Sequence, residues 1–188
     1  FVVGAVELED MLHPFDTIIP GDALIGIPSD GLHTNGYSLV RHVFRLDVDF
    51  AILKTYVDEL GQTLGEALLR PHPSYYHSLK PLFNLSKGVA HITGGGLYEN
   101  VPRMLSARVA AKFYPSNWNM PPIFNIIQNQ GSIDTAEMYR VYNMGLGMVV
   151  ACASEHVSNF TSSIDNAVVV GEIVRATDGA GQVELVDI

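Results

Sequence analysis

The 188 residues hold one cysteine, Cys152, so the chain can form no disulfide within itself and no cysteine-based metal cluster, and a reducing compartment suits it. Basic residues are scarce. Eleven Lys and Arg against twenty Asp and Glu give a net charge of −9, which excludes a general nucleic-acid binder or a protein that coats an acidic membrane, because both need a basic field. A small anion held by a few backbone N–H groups remains compatible with that charge. Charged residues make up 16% and hydrophobic residues 47%, too apolar a mixture for disorder, yet no apolar run approaches the ~20 residues of a membrane span. Neither a signal-peptide pattern nor a G-x-S-x-G elbow occurs, and no His or Cys pair has zinc spacing, so no metal ligand is assigned. The expected location is the cytoplasm.

What is present is a chain long enough for one domain, which at this length buries roughly 70% of the surface its unfolded form exposes. Residues 1–6 open it as an apolar strand candidate with no starting methionine, and we expect a chain whose natural N-terminal part lies elsewhere. Residues 23–27 are a short, nearly continuous apolar run, as in a buried strand. Tyr37, Val40, Val43 and Phe44 then recur at helical spacing, with Asn35 placed to cap. Residues 47–60 are weakly helical. Thr63 and Glu66 have capping-box spacing before a short helix that Pro71 and Pro73 end. Ser74 is expected to cap a helix over 75–85 that Pro81 divides. Residues 88–93 read as a strand, 97–105 as a helix, 107–114 as a strand, and Pro122 opens a helix to Gln130. Asp134 caps another, ending near Asn143. Residues 144–153 are a strand with Gly145, Gly147, Val149 and Ala151 on one face and Leu146, Met148, Val150 and Cys152 on the other. Ser154 caps a last helix, and residues 168–174 and 182–186 close as strands. Strands and helices mix without a βαβ rhythm, which predicts a layered α+β sheet.

Three glycine-punctuated segments can carry chemistry. Residues 29–36 join strand to helix, and there backbone N–H groups favour an anion while His33 can donate a hydrogen bond or move a proton near neutral pH. The competing reading is an ordinary strand-to-helix turn. Residues 91–96 run from a strand into Gly94-Gly95-Gly96, where the backbone can approach a ligand closely, or simply turn. Residues 137–148 offer Arg140 for a phosphate or carboxylate; the competing reading makes this a structural corner, with Arg140 in a salt bridge and the methionines in the core. His91 reads as structural, His13, His72 and His77 as surface or structural. Cys152, mid-strand, reads as inert, and Glu7, Glu9, Asp10 and Asp16 as a solvated acidic stretch.

Taken in order, these segments resemble the C-terminal half of the aminoimidazole ribonucleotide synthetase (phosphoribosylformylglycinamidine cyclo-ligase) family. The resemblance is carried by Gly31-Leu32-His33-Thr34-Asn35-Gly36-Tyr37-Ser38-Leu39-Val40-Arg41, by residues 91–96 followed by Glu99-Asn100-Val101-Pro102-Arg103, and by Glu137-Met138-Tyr139-Arg140, Asn143 and Gly145-Leu146-Gly147-Met148. Gly21-Asp22 and Gly171-Glu172-Ile173-Val174 also fit. Asp30 departs from the family's usual Ser, and Thr34 from a frequent Ser. Family members are roughly twice as long. The resemblance implies a three-layer α/β/α domain with a mixed β-sheet, partly ferredoxin-like, spanning residues 1–188. It implies ATP-driven closure of formylglycinamidine ribonucleotide to aminoimidazole ribonucleotide in purine biosynthesis, with ATP and Mg2+ bound mainly by an N-terminal domain that this chain does not carry and with a homodimer in the whole protein. It places His33 and Asn35 near the reacting amide, the backbone of Gly94, Gly95 and Gly96 on the ribose phosphate, and Ser29, Gly31, Thr34, Gly36, Thr93 and Arg140 among the substrate contacts. Alone, the chain is expected to lack turnover. The alternatives are a superfamily relative (formylglycinamidine ribonucleotide synthetase, selenophosphate synthetase, thiamin-monophosphate kinase or a hydrogenase maturation factor) or a non-catalytic ligand-binding module.

Overall fold

A computed structural model describes residues 3–187. Its centre is β1 (Ala23–Pro28), and the continuous apolar run is explained by its place: β6 pairs one edge and β7 the other, and side chains from helices cover both faces. Ahead of β1 lie a 3-10 turn at Leu8–Asp10 and α1 (Pro14–Thr17). After it come α2 (Tyr37–Val43), a 3-10 turn at Ala51–Lys54, the small hairpin β2 (Tyr56–Val57) and β3 (Gln62–Thr63), and α3 (Leu64–Leu68). Then follow α4 (Tyr76–Leu79), β4 (Ser86–His91), α5 (Gly96–Asn100), β5 (Val109–Phe113), α6 (Pro122–Gly131) and α7 (Thr135–Val141). The chain closes with β6 (Leu146–Cys152), α8 (Val157–Ser163), β7 (Val168–Arg175) and β8 (Val183–Leu185).

Six strands form one sheet in the order β4-β6-β1-β7-β5-β8, all neighbours antiparallel except β5 and β8. The sheet is therefore mixed. Its larger face takes Leu24, Val149, Ala151, Ala111, Phe113 and Val170 into a core with Val40, Leu68, Leu97, Phe124, Ile127 and Met138 from α2, α3, α5, α6 and α7. The opposite face takes Ala23, Ile25, Ile27, Val150 and Cys152 against Leu79, Leu82 and Phe160, from α4, the 3-10 turn after it, and α8. Helices cover both faces, so the three-layer expectation holds. Each fully buried apolar side chain in these layers contributes about 1.5–3 kcal/mol.

Local chemistry decides several boundaries. The Thr63–Glu66 capping box is formed in both directions, and Asp134 accepts from Ala136 N–H at 2.8 Å. Pro81 divides its segment, which becomes 3-10 over Lys80–Leu85. Other expectations are corrected. Phe1 and Val2 lie outside the described residues, and Val3 to Val6 are exposed and irregular, since an apolar run without an edge to pair makes no strand. Asn35 does not cap α2: Gly36, at φ 77°, turns the chain instead. Neither Ser74 nor Ser154 caps, and the Ser154 hydroxyl donates to the Gly21 carbonyl at 2.6 Å. Residues 47–60 break into 3-10 turns and a strand rather than one helix. A β-bulge pairs Pro28 with Leu146 and Ile27 with Met148, so Leu146 joins the larger core and the expected alternation fails at that end of β6.

Gly171 shows how closely β5 and β7 are pressed: a Cβ there would stand 2.1 Å from the Lys112 carbonyl oxygen, a backbone atom that cannot swing away. Gly171→Ala is expected to lower stability by about 1–3 kcal/mol, read as a lower urea midpoint at unchanged slope. An unchanged midpoint would show that the two strands part there freely.

Candidate active site at the β1, β4 and β6 ends

β1 and β4 flank β6 and both run antiparallel to it. Their C-terminal ends therefore emerge at the same edge of the sheet where β6 begins. That is why residues 29–36, 92–96 and 143–145, remote in sequence, form one surface.

The Asn143 side chain ties the first of these to the third. It is 2% exposed; its Oδ1 accepts from the Ser29 hydroxyl at 2.8 Å and from Gly145 N–H at 2.9 Å, and its Nδ2 donates to the Gly31 carbonyl at 2.9 Å. Ser29 N–H donates in turn to the Gly145 carbonyl at 2.9 Å. Tyr142 supports the next turn: its ring lies where a Cβ of Gly36 would be, and its hydroxyl donates to the Gly36 carbonyl at 3.2 Å. Tyr37 spans the same loop, its hydroxyl donating to the carbonyls of Leu68 and His33.

The glycine triplet is organised by Asn100, 3% exposed, whose Nδ2 donates to the carbonyls of Thr93, Gly94 and Gly96 at 3.3, 3.2 and 2.8 Å. Gly95 and Gly96 are at φ 93° and 55°, and a Cβ on Gly96 would strike the Tyr139 carbonyl oxygen at 1.9 Å. Two of the three glycines are thus required by the turn itself. Gly94 is not; it is exposed, and its missing Cβ would lie 3.3 Å from Asn35 Oδ1. The first and second segments therefore face each other through Asn35 and Gly94. Among the described residues the N–H groups of Gly94 and Gly95 donate to no protein acceptor.

His33 is 4% exposed and sits at φ 57°, in the left-handed region that few non-glycine residues adopt, Asn, Asp and His more often than the rest. Its Nε2 stands 3.4 Å from the Tyr75 hydroxyl, and its Nδ1 is buried without a partner. Burial, then the neighbouring His72 and His91, hold its pKa down at about 4, so the ring is neutral at pH 7. Burial followed by His72 lowers His91 as well. The Tyr75 hydroxyl donates to the Pro28 carbonyl at 3.0 Å, and a Cβ on Gly147 would collide with it. The bulge that upsets the alternation of β6 turns Gly147 toward Tyr75 and His33.

The remaining sequence-derived positions scatter around this surface. Ser29 and Gly31 are buried, and Thr34 is exposed. Thr93 lines a cavity of 330 Å³ with His91, Asn100 and Arg103. Ser29 also borders a second cavity, of 510 Å³, with Trp118, Asn119 and Asn166. Arg140 lies on the exposed side of α7, its Nε 3.8 Å from Glu137. Asp30 is neutralised by Arg70, whose Nε and Nη2 donate to one carboxylate oxygen at 3.0 and 2.7 Å. Cys152 is fully buried and its thiol is pushed up to about 11, chiefly by that burial, so it is no nucleophile. Asn100, Asn143, His72 and Tyr75 were not legible as site residues. The two asparagines stand at helix ends, which is their one local signal, and nothing in the sequence brings 72 or 75 to 33.

A mixed sheet with helices on both faces and a polar surface at converging strand ends defines a three-layer α/β/α domain. Residues 20–184 match the model of the AIR synthase related protein, C-terminal domain, and the chain belongs to that family. A phosphoribosylformylglycinamidine cyclo-ligase of Thermoanaerobacter sp. (strain X514) is 45% identical over 184 residues, covering 95% of this chain and 54% of the relative. The chain spans about half the length of the curated relatives it matches. Among solved structures, thiamine-monophosphate kinase from Stenotrophomonas maltophilia K279a has the same fold at TM-score 0.59 and 14% identity, over 93% of this chain and 52% of that one. Hydrogenase maturation protein HypE in complex with ATP matches at TM-score 0.56 and 14% identity, over 97% and 52%.

Removing the Asn143 amide strands two buried backbone groups. Asn143→Ala is expected to destabilise the chain by about 2–3 kcal/mol, measured by urea unfolding; a loss below ~0.5 kcal/mol would mean that the Ser29 and Gly145 backbone bonds suffice. His33 gives a pH dependence. Its folded pKa lies below the ordinary 6.5, so its contribution is complete above pH 6.5 and is lost as pH falls toward 4, where the unfolded chain takes up a proton that the folded one refuses. His33→Asn, which tolerates the left-handed backbone, should flatten the stability profile across that window; equal slopes in both proteins would refute the assignment.

Proposed function

We propose that this chain is the substrate-side domain of an ATP-dependent cyclo-ligase that converts formylglycinamidine ribonucleotide to aminoimidazole ribonucleotide. The observation that carries the reading is the 45% identity to named cyclo-ligases over 95% of the chain, far above the 14% shared with the kinase and the maturation protein. In this reading the unpartnered N–H groups of Gly94 and Gly95 hold the ribose phosphate, Asn35 orients the formyl amide across from them, and neutral His33 accepts or donates the proton as the ring closes. Ser29, Gly31, Thr34, Gly36 and Thr93 shape the pocket, and Arg140 swings from Glu137 to a substrate oxygen.

ATP would supply the activation of the amide oxygen. Asp30 and Asp22 are each paired with a cation, Arg70 and Lys87, so neither is a free carboxylate for Mg2+. The ATP and its metal therefore belong, on this proposal, to the half of the relatives that the chain does not span, and the purine-forming activity, the cytoplasmic setting and the dimer belong to the whole protein.

The isolated chain should show no cyclisation of formylglycinamidine ribonucleotide with ATP. Joined to the N-terminal half of the Thermoanaerobacter relative it should turn over, and Asn35→Ala or His33→Asn should lower kcat at least about 100-fold without unfolding it. Turnover by the chain alone, or by the variants at full rate, would reject the reading; phosphorylation of thiamin monophosphate instead would transfer it to the kinase branch.

A further inference from the structure

Three histidines from three separate segments meet beside the site. His33 stands on the loop after β1, His72 between Pro71 and Pro73 after α3, and His91 at the last position of β4. One ring nitrogen from each lies within 4.8 Å of the other two. Nε2 of His72 and Nε2 of His91 are 3.1 Å apart, and the His33 and His72 ring centroids are 4.0 Å apart. Two imidazole nitrogens bound to one tetrahedral ion, each at 2.0–2.1 Å, stand about 3.3 Å apart. The His72–His91 pair is already at that spacing.

The surroundings favour ligation. His72 Nδ1 lies 2.7 Å from the Pro73 carbonyl oxygen, so the proton sits on Nδ1 and the Nε2 lone pair faces His91, the arrangement that an outer-shell carbonyl imposes on metal-binding histidines. His33 is packed against the pair yet has one buried nitrogen with no partner and another with only the long contact to Tyr75. Turning its ring sacrifices no strong hydrogen bond. His72 and His91 are exposed, so they can close the remaining gap.

We propose that His33, His72 and His91 together bind one divalent cation of the zinc class, Zn2+, Co2+ or Ni2+. Imidazole nitrogen suits these ions, whereas Mg2+ and Ca2+ take oxygen ligands. Three neutral ligands leave the ion's charge uncompensated and its fourth position open to water or to an anionic oxygen. The site would clip the loop after β1 to the end of β4 and to the linker between α3 and α4. The site does not rest on the cyclo-ligase reading, but an ion on His33 occupies its lone pair, so metal ligation and proton transfer by His33 exclude each other.

The test uses the whole chain after treatment with a chelator. Co2+ titration should give the intense visible absorption of a four-coordinate site, saturating at one equivalent, and Zn2+ should displace it while millimolar Mg2+ does not. His72→Ala and His91→Ala, both at exposed positions, should each weaken Zn2+ binding by at least about 100-fold, more than loss of an outer-shell partner does, with unchanged circular dichroism. His77→Ala should leave binding unaltered. No saturable binding, or binding that survives both substitutions, would overturn the proposal and leave the trio a hydrogen-bonded cluster only.

Discussion

The buried amide of Asn143 is the constraint on which the site depends. It satisfies a hydroxyl, a backbone N–H and a carbonyl at once, and the three groups belong to the exit of β1 and the entry of β6. Because Oδ1 faces two donors and Nδ2 one acceptor, its orientation is fixed by chemistry. A buried network of this kind stabilises only if every member is satisfied, so the loop after β1 has one arrangement rather than several. His33 inherits that fixity. Its left-handed backbone would be costly in a free loop, of order 1–3 kcal/mol, and persists because Asn143 anchors the chain before it and Tyr37 and Tyr142 anchor it after.

The glycine triplet repeats the logic with different parts. Asn100 gathers three carbonyls of residues 93–96; the Gly96 N–H donates to the Thr93 carbonyl at 2.9 Å, and those of Gly94 and Gly95 are left without a protein acceptor among the described residues. Tyr139 and Tyr142, at the end of α7, press on Gly96 and Gly36 respectively. One short helix end thus sets the height of both loops, and Asn35 meets Gly94 as a consequence. Small residues serve here less for mobility than for the close approach of rigid backbone.

Much of the fold was legible because it rests on local signals: the apolar run of β1, the Thr63 box, Pro122, Pro81 and Asp134. Where reading failed, a tertiary contact had overridden a local one. Asn35 has the chemistry of a cap, but the space under α2 is filled by Tyr142 and the turn falls to Gly36. Leu146 has the parity of one face, but a bulge moves it to the other. At the site, the three segments could be named from composition, and their order carried the family. Their meeting could not be read without the sheet order, because it follows from β4 and β1 lying on either side of β6. His72 and His91 illustrate the limit. Each has an ordinary structural reading in its own neighbourhood; the antiparallel register of β4 and β1 with β6 brings His91 to His33, and the loop between α3 and α4 brings His72.

Charge offers the last step. The chain carries a net −9, and the surface formed by residues 29–36 and 92–96 has two carboxylates at it: Asp30, and Glu99, whose side chain lies against Gly95. Asp30, the departure from the family's serine, is held by Arg70, and its second oxygen makes no hydrogen bond within the chain among the described residues. Glu7, Glu9, Asp10, Asp16 and Asp22 lie on the segment before β1. In the cyclo-ligase reading, a phosphate on the N–H groups of Gly94 and Gly95 has to displace the Glu99 carboxylate. The net charge repels polyanions, so the surface suits nucleic acid poorly. Arg70 pairs the Asp30 carboxylate, which would otherwise add a free negative charge at this edge.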